Sequence, residues 1–180
     1  MHGLVFATLR EYSDVRLGRE RAAEIWASEN VDPNGAHPDE LFTEMLERVR
    51  AAAGADAAKL ERDFGSYTAQ SAFVAMFPDY YAAQDGTVPF LLGVEEQIHE
   101  VVRSTVPGAR PPHLRIQPLG GIGALVTYTS PRQLCRLLEG LVFGTAAYYG
   151  DDVVVDEIQC MRTGDAGCVF TILPREHALG

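Results

Sequence analysis

The chain has 180 residues, 47% of them hydrophobic, and carries 15 Lys and Arg against 25 Asp and Glu, for a formal net charge of -10. That length and apolar content fit one compact domain with a sizeable core. The acidic balance excludes attachment to nucleic acid or an anionic membrane surface, both of which are bound through clustered Lys and Arg. No run of about 18 apolar residues exists to span a bilayer, and the start MHGLVFATLREYSDVR has no basic leader. The expectation is a soluble cytoplasmic protein with proteins or small molecules as partners.

The first half reads as helices separated by breakers. One helix is predicted within residues 2–12 and a second, GRERAAEIWASEN, over about 18–30. VDPNGAHP, residues 31–38, is a loop rich in turn formers. DELFTEMLERVRAAAG follows, with Leu41, Met45 and Val49 at helical spacing. DAAKLERDFGSYTAQSAFVAMFP is predicted as one helix, capped by Asp56 and stopped at Pro78, with Gly65 breaking or pinching its middle. After YYAAQDGTVP, the helix FLLGVEEQIHEVVRSTV places Leu91, Val94, Ile98, Val101 and Val102 on one side.

The pattern then changes. PGARPP interrupts the helices, and LRIQPLG and GALVTYTS are two strand-like runs divided by Gly120 and Gly121. A helix is expected at PRQLCRLLEGLVFGTAAYYG, and VVVDEIQCMR and CVFTILP form a hairpin across TGDAG. Helices first, then an antiparallel sheet with one long helix, predict an α+β fold of two lobes. The helical lobe covers about residues 1–80 and the lobe with the sheet about 84–180, as parts of a single domain.

Two places concentrate chemistry. Tyr128 and Ser130 stand two apart at the end of a strand and so share a face, which Arg132 continues if Pro131 turns the chain gently. Two hydroxyls and a guanidinium fork suit a carboxylate or phosphate. The plainer alternative makes them turn residues, with Ser130 as the cap of the next helix and Pro131 its first residue. Among five histidines, His99 differs in having Ile98, Val101 and Val102 as neighbours and the pair Pro111, Pro112 in the loop beyond. A neutral imidazole on such a wall is what an axial heme ligand requires.

Taken together, these residues resemble the heme nitric oxide/oxygen-binding (H-NOX) family, here a bacterial stand-alone member. The resemblance rests on a histidine followed twelve and thirteen residues later by two prolines, then a strand, then Tyr-x-Ser-x-Arg before LLEGLVFG. The MHG start and FVAMFPDYY extend it over nearly the whole chain. It implies heme b held between a distal helical lobe and a proximal lobe. His99 would then be the iron ligand, Tyr128, Ser130 and Arg132 would hold the propionates, and Pro112 would pack on the macrocycle. In members that hold oxygen, a tyrosine five residues after the motif's arginine donates to the bound gas; here that residue is Leu137. Val5, Leu9 and Phe73 complete an apolar distal side, which favours nitric oxide, with carbon monoxide also expected, over stable oxygen. Tyr67 and Gln70 are the residues that could upset that reading if either turned inward. The resemblance further implies a sensor and not an enzyme. In family members, nitric oxide weakens the iron–histidine bond and the lobes shift to signal a partner, typically a histidine kinase or a cyclic-di-GMP enzyme.

The three cysteines form a second constellation. Cys160 and Cys168 face each other across the hairpin, and Cys135 lies in the preceding helix. Three thiolates converging there make most of a tetrahedral zinc site, although the same residues can also serve as small buried hydrophobes. Some bacterial members of the family carry such a site with a histidine three residues before the second cysteine, where this chain has Glu157. Strand alternation puts Glu157 and Cys160 on opposite faces unless a bulge intervenes, and His177 is another candidate fourth ligand. The rival function is a heme-free, vinyl-reductase-like domain that binds a small molecule and has a cysteine or zinc redox site. That reading leaves His99 and YTSPR unexplained. A redox or hydrolytic enzyme lacks an evident base and nucleophile pair.

Overall fold

The computed structural model describes residues 1–178. Six helices come first: α1 (Gly3–Leu17), α2 (Arg19–Trp26), α3 (Asp39–Ala53), α4 (Ala57–Gln70), α5 (Ala72–Met76) and α6 (Pro78–Ala82). His2 caps α1, its Nδ1 accepting from the Leu4 amide at 3.2 Å. α1 runs beyond the expected residue 12 because no breaker intervenes before Gly18, whose φ of 84° turns the chain into α2. A β-carbon on Gly3 would stand 1.9 Å from the carbonyl oxygen of Asp32, so the 31–38 loop packs directly on the start of α1.

Asp56 caps α4 as expected, accepting from the Lys59 amide at 2.9 Å. Gly65 does not break α4. The helix stops instead at Ser71, at φ -120° and ψ -84°, whose hydroxyl donates back to the Tyr67 carbonyl at 2.6 Å. The single helix expected as far as Pro78 is therefore two. Gly65 is where α4 meets the later helix α9 (Cys135–Tyr149). β-carbons added at Gly65, Gly140 and Gly144 would lie 2.3, 2.1 and 2.5 Å from backbone oxygens of the facing helix. Glycine at all three positions lets the two backbones approach more closely than side chains would permit.

The next helical stretch begins at Thr87, ahead of the expected Phe90, because the Thr87 amide and hydroxyl both donate to Asp151 Oδ2 at 2.7 Å. It runs as α7 (Thr87–Val94), one π-helical turn (Glu95–His99) and α8 (Glu100–Thr105). Four strands follow: β1 (His113–Leu119), β2 (Gly123–Thr129), β3 (Val153–Gln159) and β4 (Cys168–Pro174). They form one antiparallel sheet in the order β1-β2-β4-β3. The β1–β2 hairpin turns on Gly120 and Gly121, at φ 60° and 76°, where left-handed backbone favours glycine.

This is the α+β, two-lobed fold read from the sequence, and its core lies in two clusters. Phe6, Leu9, Trp26, Phe42, Met45, Val49, Leu60 and Phe64 fill the helical lobe. Tyr81, Phe90, Ile98, Val126, Val142, Phe170 and Ile172 join α7, α9 and the sheet in the other. Among the described residues, no helix is long and apolar enough to cross a membrane.

Candidate functional site

His99 closes the π-helical turn, and that extra-wide turn sets it above Glu95. Its Nδ1 lies 2.9 Å from Glu95 Oε2, and no hydrogen bond engages its Nε2 among the described residues. The same carboxylate accepts from the Leu114 amide at 3.1 Å and from Arg103. Burial pushes the His99 imidazole below its ordinary range, against an upward pull from Glu95. Burial alone would raise the Glu95 carboxyl, but hydrogen bonds from His99, Arg103 and Leu114 bring it below its usual value. The result is an imidazole kept neutral and held at one nitrogen. Pro111 and Pro112 are half-buried and lead directly into β1.

Tyr128 and Ser130 are both buried, 4% and 2% exposed, at the end of β2. Burial raises the Tyr128 phenol above its ordinary value, keeping it a neutral donor. Its Oη accepts from the Leu134 amide at 3.1 Å, and Ser130 Oγ accepts from the Arg132 amide at 3.3 Å. Ser130 thus caps a turn, and α9 begins only at Cys135, so Pro131 is not its first residue. Within that turn Gln133 has φ 51°, the left-handed region that side chains other than glycine seldom adopt.

The Arg132 guanidinium donates through Nη1 to the Arg110 carbonyl at 2.7 Å. Its Nε stands 2.9 Å from Asp39 Oδ1. That approach pairs the guanidinium with the Asp39 carboxylate. The amino group of Met1 reaches the same Asp39 oxygen at 2.5 Å. Burial would raise Asp39, but these two cations hold it below its ordinary value. The motif's arginine is thereby tied to the first residue of α3 in the helical lobe.

On the other side, Leu9 is fully buried in the helical-lobe cluster, and Val5 and Leu137 pack against it. Phe73 instead packs with Phe77 in the sheet-lobe cluster, their ring centroids 6.2 Å apart. Gln70 is exposed and donates to Ser66 at 3.0 and 3.1 Å. Tyr67 packs inward against the helical-lobe cluster, its ring 5.5 Å from that of Tyr12. Tyr12 is itself buried with a hydroxyl that has no partner, and burial pushes its phenol up to about 12. Two phenols thus belong to the helical-lobe cluster.

The cysteines meet as well. The ligand atoms of Cys135, Glu157, Cys160 and Cys168 all lie within 4.8 Å of one another, with Cys135 and Cys160 sulfurs 3.8 Å apart. The β3–β4 register slips between Glu157 and Gln159, and this bulge overturns the simple alternation that would separate Glu157 from Cys160. Asp165 fixes the hairpin tip by accepting from the Cys160 amide at 2.8 Å. Glu157 Oε2 accepts from Arg136, while Oε1 is buried without a partner. Burial raises the Cys135 thiol to about 12 and the Cys168 thiol in the same direction. His177 stands outside this cluster, 43% exposed beside Glu176.

The sequence matches the family model described as Haem-NO-binding over residues 2–157. The chain belongs to the heme-NO-binding, or H-NOX, family. Its fold is similar to that of an H-NOX protein from S. oneidensis in the Fe(II)NO ligation state. The TM-score is 0.89 and the identity 20%, covering 97% of this chain and 99% of that one. A point mutant of T. tengcongensis H-NOX aligns with TM-score 0.85 at 20% identity, covering 97% and 98%. A mutant H-NOX protein from K. algicida in the unliganded Fe(II) state gives 0.82 at 18%, covering 99% and 98%. No curated protein matches the chain.

H-NOX domains are heme-binding gas sensors, and the donor set of this chain fits that group. Two buried hydroxyls at the end of β2, followed by the Arg132 guanidinium, suit a carboxylate pair. A neutral histidine engaged only through Nδ1 suits an iron ligand. Three participants escaped the sequence reading: Glu95, Asp39 and Arg103. Glu95 stands four residues before His99, one helical turn away, and that spacing was the available signal. Asp39 carried none, because its partner lies in the other lobe.

Proposed function

We propose that this H-NOX domain is a gas sensor that binds nitric oxide, and also carbon monoxide, at a heme b ligated by His99. It forms no stable oxygen complex and signals to a partner protein without catalysing a reaction. When bound, heme supplies a ferrous iron with a free position for a diatomic gas. Every further task falls to the chain. His99 presents Nε2 with its other nitrogen held by Glu95. Tyr128, Ser130 and Arg132 offer donors to the propionates, and Pro112 packs on the macrocycle. Leu137, Val5 and Leu9 present apolar side chains where oxygen-holding members carry a donor, which disfavours oxygen, whose bound form carries partial negative charge, provided the Tyr12 and Tyr67 phenols of the same cluster do not face the gas.

The observation that carries this reading is the partly buried His99 imidazole, held through Nδ1 by Glu95 and with Nε2 unengaged among the described residues. Family resemblance points to a cytoplasmic histidine kinase or cyclic-di-GMP enzyme as the partner. The Asp39–Arg132 pair gives the lobes a link through which the site can act on it. In the test, His99→Ala loses heme, or holds it only when imidazole is supplied. Arg132→Ala retains heme more weakly. Normal heme content and an unchanged spectrum in His99→Ala contradict the proposal.

The thiol cluster is proposed as a structural zinc site formed by Cys135, Cys160, Cys168 and Glu157. Sulfurs bound to a common tetrahedral zinc stand about 3.8 Å apart, which is the separation between Cys135 and Cys160. Glu157 Oε1, buried and unpaired, is the available fourth donor.

A further inference from the structure

We propose that Glu95 is a positioning residue that sets the strength of the bond between His99 and the heme iron. The inference rests on the heme reading above and deepens it.

The geometry is specific. The π-helical turn Glu95–His99 brings the Glu95 carboxylate to 2.9 Å from His99 Nδ1. That carboxylate does not hang free, as a solvated helix-surface pair would. Its Oε2 also accepts from the Leu114 amide at 3.1 Å, which fastens it to the start of β1 just beyond Pro112. Its Oε1 is taken by Arg103, one turn beyond His99, whose Nη1 is buried without an acceptor. Glu95 is therefore fixed from three sides, and the imidazole ring is fixed with it.

A carboxylate that accepts the Nδ1 proton keeps the imidazole in the tautomer with its lone pair on Nε2. It also makes that lone pair more basic, so the metal bond strengthens. Arg103 works against this, because its charge on the other carboxylate oxygen draws electron density away from His99. The two residues thus act on the same bond with opposite sign. The Leu114 contact makes the setting depend on how the His99 helix sits against β1. A helix-surface ion pair with no such role would contribute stability alone.

The deciding measurement is the iron–histidine stretching band in resonance Raman spectra of the anaerobic ferrous protein loaded with heme. Glu95→Gln and Glu95→Ala move the band to lower wavenumber, and Arg103→Met moves it higher. The iron reduction potential rises in the Glu95 variants and falls in Arg103→Met. A band at the wild-type position in the Glu95 variants overturns the proposal. Should those variants fail to fold, an unshifted or lowered band in Arg103→Met overturns it equally. Absence of the band from the wild-type protein, or its persistence in His99→Gly, overturns the underlying heme reading instead.

Discussion

Gly65 lies directly against the backbone of Leu137, with 2.3 Å between the site of a β-carbon and the Leu137 carbonyl oxygen. The helix contact that joins α4 to α9 therefore also fixes the height of Leu137 above the helical-lobe cluster. Gly65→Ala must push α9 away, and overpacking of this kind costs ~1–3 kcal/mol. Urea unfolding of the wild type and the variant reads that cost, and equal midpoints contradict the close packing.

Leu137→Tyr tests the distal reading. Placing a phenol at that position supplies the missing donor, so the ferrous protein gains a stable oxygen complex in air. Failure to gain one, with heme intact, removes Leu137 from the neighbourhood of the gas.

Tyr12→Phe addresses the unpartnered hydroxyl in the same cluster. Deleting a buried hydroxyl that has no partner removes a desolvation penalty, so stability stays level or rises by about 1 kcal/mol. A loss of that size in thermal unfolding contradicts the absence of a partner. A change in oxygen behaviour in this variant, or in Tyr67→Phe, assigns a phenol to the gas.

Asp39 makes stability depend on pH. Arg132 and the Met1 amino group hold its folded pKa below the ordinary 3.8. The contribution is therefore complete above about that value and is lost as pH falls through the lowered folded value. Asp39→Asn lowers stability at neutral pH and flattens the acid limb of the curve. Denaturant unfolding measured from about pH 3 to about pH 7 checks this, and parallel curves for the two proteins contradict it.

Metal analysis of the purified chain tests the thiol cluster, with one zinc per chain expected. Glu157→Ala weakens zinc retention by on the order of tenfold or more, and Glu157→His preserves it. Three thiols that titrate freely in a zinc-free protein contradict the site.

Which parts were readable from sequence follows from the range of the forces involved. The two hairpins were announced by local signals: paired glycines at 120 and 121 and the TGDAG turn. His99 and Tyr128-x-Ser130-x-Arg132 stand out in the sequence because their chemistry is rare in that order. The stop at Ser71 was not, since nothing in AQSAFVAM disfavours a helix. The bulge that carries Glu157 toward Cys160 is invisible to strict alternation, because it is a slip between two strands. Asp39 and Glu95 owe their importance to Arg132 and Leu114, residues distant along the chain that folding alone brings near.

The most direct test is an absorption spectrum of the anaerobically reduced protein, taken before and after nitric oxide and, separately, after air. The account predicts a five-coordinate ferrous heme whose spectrum shifts with nitric oxide and forms no stable oxygen complex. A protein that takes up no heme on reconstitution, or one that holds oxygen stably, contradicts it.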